Sequence, residues 1–349
     1  MKYGTVKDKV HKSIWQRLKH LLLPTSTSMV FDLFQEDKIA HFYTGTVQNT
    51  LTHNYLATSN AFDPKFDEGH VFLVKDIPSF LQLTIDTTAH GRQHRCIEQY
   101  KGYLVDISNS KDLNDYLDSH LSSRNRKNLR AKQRKLEESG TISYTFHFGE
   151  IDKSEYDRLF DAFYRLLEKR FHEKKMYNKN LVQWHYYHAL AYPLILAKKA
   201  SLFVIYDGDN PITLTLNFHK GDIVFSAIQT YDIAYSGYNM GDISMVKHLE
   251  WCKSLNVALF DLSMGVTDYK LKWCNRTYSF HYQLFYSKSS LLAHIVLYYT
   301  LLKLRLKQYL RDKHIIGKRF QYDTFFYKKQ VKKLKNYDWK ASNCTEVQN

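Results

Sequence analysis

The stretch SLFVIYDGDNPITLTLNFHKGDIVFSAIQTY, residues 201–231, decides the fold. Leu202–Tyr206, Ile212–His219 and Ile223–Tyr231 are rich in β-branched and aromatic residues and alternate with a period of two. Between them stand two turn signals, Asp207-Gly208-Asp209-Asn210-Pro211 and Lys220-Gly221-Asp222. Three alternating segments joined by tight turns read as an antiparallel meander. In the middle segment Ile212, Leu214, Leu216 and Phe218 share one side, while Thr213, Thr215, Asn217 and His219 share the other. The first side is core. The second, polar and β-branched, reads as a face that lines a substrate.

Downstream, Tyr235-Ser236-Gly237-Tyr238-Asn239-Met240-Gly241 leads into a helix whose apolar positions are Ile243, Val246, Leu249 and Cys252. A strand over Val257–Leu262 follows. The first turn of a helix leaves N–H groups unbonded and carries partial positive charge, and glycine lets a phosphate come close. Gly237 and Gly241 bracket that helix start, so the loop is a candidate phosphate site. The segment Ser263–Trp273 then precedes a strand over Tyr278–Tyr286, and Ser290–Lys335 reads as helical and basic.

Upstream, Tyr156, Leu159, Phe160, Phe163, Leu166, Leu167 and Phe171 form one continuous helical stripe, with Ser154 as its expected cap. A second helix is expected over Val182–Leu190, before Pro193, and a basic helix over Leu117–Ser139, ending at Gly140. In the first hundred residues the sequence predicts a short helix over Ser13–Leu23, stopped by Pro24. It predicts strands over Val71–Val74, Phe80–Ile85 and Tyr103–Ile107.

The net charge is +15 over 349 residues and is unevenly spread. Leu301–Lys340 holds 13 Lys or Arg against 3 Asp, and Arg124–Lys135 holds seven bases and no acid. Such patches attract nucleic acid, anionic lipid or phosphorylated small molecules. With 27 Tyr, 21 Phe and 5 Trp there is ample material for a core, which excludes a disordered chain. The apolar run Leu291–Leu302, broken by His294, is too short to span a bilayer. No leader pattern precedes the first lysines, which sets a cytoplasmic expectation. The four cysteines form no C-x-x-C pair. His90, His94 and Cys96 invite a metal reading, but no fourth ligand is near and Gly91-Arg92 suggests a polar loop; no metal is expected. No Walker loop, GxSxG elbow or H-E-x-x-H occurs, so NTPase, hydrolase and zincin readings lack support.

The succession of meander, loop, helix and strand resembles the GNAT acetyltransferase superfamily. More narrowly, Tyr206–Trp273 looks like the acetyltransferase domain of the cellulose-biosynthesis-associated (CelD-like) family. The residues that carry the likeness are Asp207-Gly208, Tyr238-Asn239-Met240-Gly241, Phe260-Asp261-Leu262 followed by Gly265, then Tyr269-Lys270 and Trp273, with the basic helix ahead of Gly140. No proline stands before Gly241, where the family carries Tyr-Ser-Pro-Gly.

The resemblance implies an α/β (α+β) fold, a GNAT-like mixed sheet flanked by helices, with tandem lobes left open and a basic helical C-terminal extension. The corresponding domains are residues 1–115, 116–288 and 289–349. It implies acyl transfer from acetyl-CoA or another acyl-CoA to an amine or hydroxyl, on a sugar or glycan-related acceptor of polysaccharide metabolism. Gly237, Tyr238, Asn239, Met240 and Gly241 would hold the cofactor's pyrophosphate. Asp261 is the preferred base and His219 the second; Tyr269 would protonate the departing thiolate. Lys270, with Thr215, Asn217 and Gln229, would bind the acceptor. The Fem-type aminoacyl-tRNA-dependent transferases are a more distant likeness, and non-enzymatic binding of nucleic acid or membrane is a third reading. The basic tail, Lys303–Lys340, is expected to touch anionic membrane from the cytoplasmic side.

Overall fold

The structure is a computed structural model that describes residues 22–24, 47–56, 71–83, 92–313, 315, 322–335 and 337–341. The helix expected over Ser13–Leu23 lies almost wholly outside the described residues, as does His90; Leu22–Pro24 is extended. The strands, in chain order, begin with β1 (Leu22–Pro24), β2 (Val47–Asn49), β3 (Tyr55–Leu56), β4 (Val71–Pro78), β5 (Leu81–Gln82) and β6 (Arg92–Asp106). They continue as β7 (Ile142–His147), β8 (Ala200–Asp207), β9 (Asn210–Lys220), β10 (Ile223–Tyr231), β11 (Leu259–Met264) and β12 (Arg276–Ser287). The helices are α1 (Leu113–His120), α2 (Ser123–Ser139), α3 (Lys153–Glu173) and α4 (Trp184–Leu196), then α5 (Met240–Ser254), α6 (Asp268–Trp273), α7 (Leu291–Asp312) and α8 (Tyr322–Leu334).

The chain divides into two compact units. One comprises residues 1–50, 55–100 and 279–309; the other comprises 51–54, 101–278 and 310–349. In the first, β1 pairs parallel with β4, and β4 pairs antiparallel with β12 from Tyr286↔Val71 to Phe280↔Pro78. Helix α7 lays Ala293, Val296, Leu297, Leu301 and Leu304 against Val71, Leu73, Leu284 and Tyr286. The short strands β3, β2 and β5 form a separate small sheet.

In the second unit the strand order is β6-β11-β10-β9-β8-β7. All its pairs are antiparallel except β10 with β11, so the sheet is mixed. The meander forms as its alternation dictates, with Gly208 and Gly221 both at φ +58° in the two turns. Paired residues share a face, so Thr215 lies beside Phe203 and Asn217 beside Ser201. Helix α5 covers that face, and Thr213, Thr215, Asn217 and His219 are all buried. The polar side of the meander is therefore interior. Periodicity separates the two faces of a strand, but does not reveal which one a helix will cover.

Helix α3 presents the expected stripe, with Tyr156, Leu159, Phe160, Phe163 and Leu167 fully buried against Trp184 of α4. Its cap is Asp152, whose carboxylate accepts from both the N–H and the hydroxyl of Ser154. The helix expected over Leu117–Ser139 is two helices. Leu121 is extended at φ −102°, ψ 139°, and Ser122 caps α2 by accepting from Asn125 N–H. Helix α4 runs through Pro193 to Leu196 instead of stopping before it. The segment around His94 and Cys96 belongs to the 15-residue strand β6, not to a loop. Among the described residues no three His, Cys, Asp or Glu side chains converge.

Gly102 of β6 sits under the Tyr278 ring. A Cβ there would lie 2.2 Å from Tyr278 Cζ, and the ring is held by the bond from Tyr278 Oη to Asp261 Oδ1 at 2.7 Å. Gly102→Ala should therefore lower stability by about 1–3 kcal/mol, the cost of overpacking a closed site. Chemical denaturation checks this; unchanged stability would mean the ring swings aside freely.

Candidate functional site

Helix α5 begins where β10 leaves the sheet. Asp232 caps the 3-10 turn Ile233–Tyr238, and Asn239 then adopts the left-handed conformation (φ 57°, ψ 49°) that turns the chain into the helix. The Asn239 carbonyl accepts from Asp242 and Ile243 N–H. The first-turn N–H groups of Met240 and Gly241 have no carbonyl within the helix to bond. They open onto a cleft of about 620 Å³ lined by Arg170 of α3 and Lys174 at its C-terminal cap, Gln229 and Tyr231 of β10, Ser236 to Asp242 in part, and Thr267 to Lys272 in part. That size suits a ligand of cofactor dimensions.

At this helix end, Asp242 accepts from Lys272 Nζ at 2.5 Å and from Trp273 Nε1 at 2.8 Å, so its charge is balanced. Arg170 is different. Its guanidinium lies 4.2 Å from the Tyr231 ring centroid, and one N–H donates to Gln229 O, while Nε is buried without a partner. Among the described residues no carboxylate pairs with Arg170 or Lys174. Burial lowers the pKa of both, and each cation's environment disfavours its charge. Both line a cleft whose two carboxylates, Asp242 (already held by Lys272 and Trp273) and Asp268, do not pair with them.

The basic helix α2 reaches the same place. Lys132 Nζ donates to Gly237 O at 2.7 Å, and Lys135 Nζ stands 6.0 Å from the Tyr238 ring centroid. Of the five loop residues expected to hold the cofactor, Asn239, Met240 and Gly241 line the cleft. Gly237 and Tyr238 do not; they are instead the contacts of α2.

At its inner end the cleft meets a small void through two shared residues, Gln229 and Tyr269. The void is lined also by Thr215, Ser226, Ser244, His248, Phe260 and Leu262. It exists because β10 and β11 pair only from Ile223↔Leu259 to Phe225↔Asp261 and then part. Strand β10 also slips its register against β9 between Ser226 and Ile228, a bulge that takes Ala227 out of the ladder.

Behind the void runs a buried polar chain. His219 Nε2 meets Ser201 Oγ at 2.8 Å, and Asn217 Nδ2 donates to Ser201 Oγ at 3.3 Å. His248 Nδ1 meets the Ser244 carbonyl at 2.7 Å, which can only accept, so Nδ1 carries the hydrogen and Nε2 accepts from Asn217. Gln229 Nε2 closes the chain on Ser244 Oγ at 2.9 Å. Burial pushes His219 down to about 3 and His248 to about 4, so both are neutral.

His219 and Asn217, expected as base and acceptor ligand, are thus interior members of this chain, while Thr215 and Gln229 reach the cavities. Asp261 and Lys270 are likewise not on the cleft wall. Asp261 accepts from Tyr278 Oη and Ser263 N–H, and Lys270 Nζ donates to the carbonyls of Ser263 and Met264. Together they hold the end of β11 and the turn that follows, where Ser263 (φ 60°), at an irregularity in the pairing with β6, and Gly265 (φ 91°) are left-handed. Tyr269 is in the cleft, its Oη donating to Gly241 O at 3.1 Å.

Residues 123–271 match the family model for an acetyltransferase (GNAT) domain. The protein is an acyltransferase. The matched span holds the meander, α2, the head of α5 and Tyr269, that is, every wall of the cleft except Lys272. No curated protein matches the chain. Solved structures that are similar include L-PGS from Bacillus licheniformis, at 11% identity and TM-score 0.39, over 67% of this chain and 72% of that one. FemX is similar at 9% identity and TM-score 0.42, over 60% and 71%. A GCN5-related N-acetyltransferase from Kribbella flavida is similar at 8% identity and TM-score 0.31, over 64% and 70%.

Proposed function

We propose that the acyltransferase takes its acyl group from acyl-CoA, acetyl-CoA foremost, and passes it to an amine or hydroxyl of a sugar or glycan-related acceptor. The observation that carries the donor is the cleft at the head of α5. A long ligand with a phosphate-bearing end suits a cleft of about 620 Å³ headed by helical N–H groups and cations. The chain's own groups fit that ligand: Gly241 leaves room at the helix end, and Arg170 has a buried N–H without a partner. The sugar acceptor rests on the resemblance of Tyr206–Trp273 to the CelD-like family.

In this reading Met240 and Gly241 N–H groups and Arg170 hold the pyrophosphate, and the thioester lies toward the Gln229 and Tyr269 end of the cleft. The acceptor's nitrogen or oxygen attacks the carbonyl carbon, its proton passes to water, and the thiolate leaves. In the same reading Tyr269, which burial keeps protonated and whose Oη bonds the Gly241 carbonyl, is the group assigned to return a proton to that sulfur, and the proton released by the acceptor restores the phenol.

Titration calorimetry with CoA tests the donor, alongside thiol release from acetyl-CoA with amino sugars, glycans and peptides as acceptors. CoA should bind, and Arg170→Gln should weaken it on the order of tenfold or more, the worth of one charge-assisted hydrogen bond. Binding of charged tRNA without any binding of CoA would replace this reading with an aminoacyl transferase.

A further inference from the structure

Helix α7 is apolar on both sides. Its inner side is the sheet-packed line already described. On its outer side Leu291, Ile295, Tyr298, Leu302 and Leu306 recur every three or four residues and so fall in one line. Their exposures are 78%, 49%, 64%, 68% and 55%. Exposed apolar residues are ordinary when scattered singly; an unbroken line roughly 22 Å long is a docking surface.

The charges name its partner. From Leu291 to Leu310 the helix holds Lys303, Arg305 and Lys307 and no acid, and Lys303 and Arg305 are exposed beside the line. A parallel second copy of this helix would set like charges against each other and an antiparallel one would leave them unmatched, whereas an anionic surface would meet them. Tyr298 carries a polar tip on an apolar body, the kind of side chain that suits a boundary between oil and water. No helix among the described residues is long and apolar enough to cross a membrane.

We propose that the outer line of α7 is a membrane-docking surface. It lies along the headgroup boundary of an anionic bilayer, with Leu291, Ile295, Tyr298, Leu302 and Leu306 against the acyl chains and Lys303 and Arg305 at lipid phosphates. The sequence placed membrane contact in the basic tail as a whole; here the contact is centred on the apolar line, with the bases setting lipid preference. This goes beyond the acyl-CoA reading and does not depend on it.

The full chain, without CoA, is sedimented with vesicles of phosphatidylglycerol and phosphatidylcholine, and with phosphatidylcholine alone, at low and high salt. The chain should follow the anionic vesicles and be released by salt. Leu302→Glu with Leu306→Glu should cut that partitioning at least tenfold while leaving the thermal midpoint unchanged, since both side chains are exposed. Lys303→Gln with Arg305→Gln should abolish the preference for anionic lipid. Equal recovery with both vesicle types, or wild-type partitioning of the double glutamate variant, overturns the proposal. So does a dimer in solution that the double glutamate variant dissociates, without lipid binding in either form.

Discussion

Gly241→Val should abolish CoA binding while the protein still folds. A Cβ at Gly241 would meet Tyr269 Cε2 at 3.5 Å, an ordinary contact, and the residue is not in a left-handed conformation. Alanine is therefore accommodated, and its lower chain entropy favours the fold by ~0.5–1 kcal/mol. The branched methyls of valine have nowhere to go except toward the Tyr269 ring or across the N–H groups at the head of α5. A phosphate held there would lose one or two charge-assisted hydrogen bonds, ~1.5–3 kcal/mol each, which is on the order of a hundredfold in affinity. The expected series in calorimetry is wild type, then Gly241→Ala weakened less than tenfold, then Gly241→Val without measurable binding, all three with cooperative thermal transitions. Wild-type affinity in the valine variant would remove the phosphate from this helix end.

The head of α5 was legible because it depends on local chemistry: a strand, two glycines and a helical stripe, all within residues 223–252. The meander was legible for the same reason, since alternation and Asp-Gly or Lys-Gly-Asp turns are short-range signals. What surrounds the helix end was not. Lys132 reaches Gly237 across 105 residues, and no periodicity announces such a meeting. Arg170 and Lys174 close a helix whose apolar stripe reads as core, and nothing in that stripe shows that its last turn opens on a cleft. The candidates that lie off the cleft wall share one cause. His219, Asn217 and Asp261 carry the right chemistry on the right strands, but burial decides whether such groups meet a ligand or one another. Helix α5 and the Tyr278 ring supply that burial from distant sequence. A signal did exist for Asp261 in the left-handed Ser263 and Gly265 that follow it, because a carboxylate two residues ahead of a turn commonly accepts from its N–H groups.

Asp261→Asn should change the pH dependence of stability more than it changes turnover. The carboxyl is 2% exposed, and burial pushes its pKa up to about 6, against the opposing hydrogen bonds from Tyr278 and Ser263 and the charge of Lys270. An unfolded aspartate titrates near ~3.9. The folded protein therefore holds this proton more tightly than the unfolded chain. The stability that follows is fully present below about pH 4 and is lost as pH rises through about 6. A displacement of two units corresponds to ~3 kcal/mol. Asparagine keeps an oxygen for Tyr278 and Ser263 and carries no charge at any pH. Relative to wild type, the variant should thus gain about 3 kcal/mol of stability between pH 4 and pH 8, read from denaturant midpoints at each pH. Because Asp261 holds the turn after β11 and does not line the cleft, turnover at pH 8 should stay within a few-fold of wild type. A hundredfold loss of kcat with unchanged CoA affinity, together with a wild-type rate that rises through pH 6, would instead make Asp261 the base that the sequence suggested.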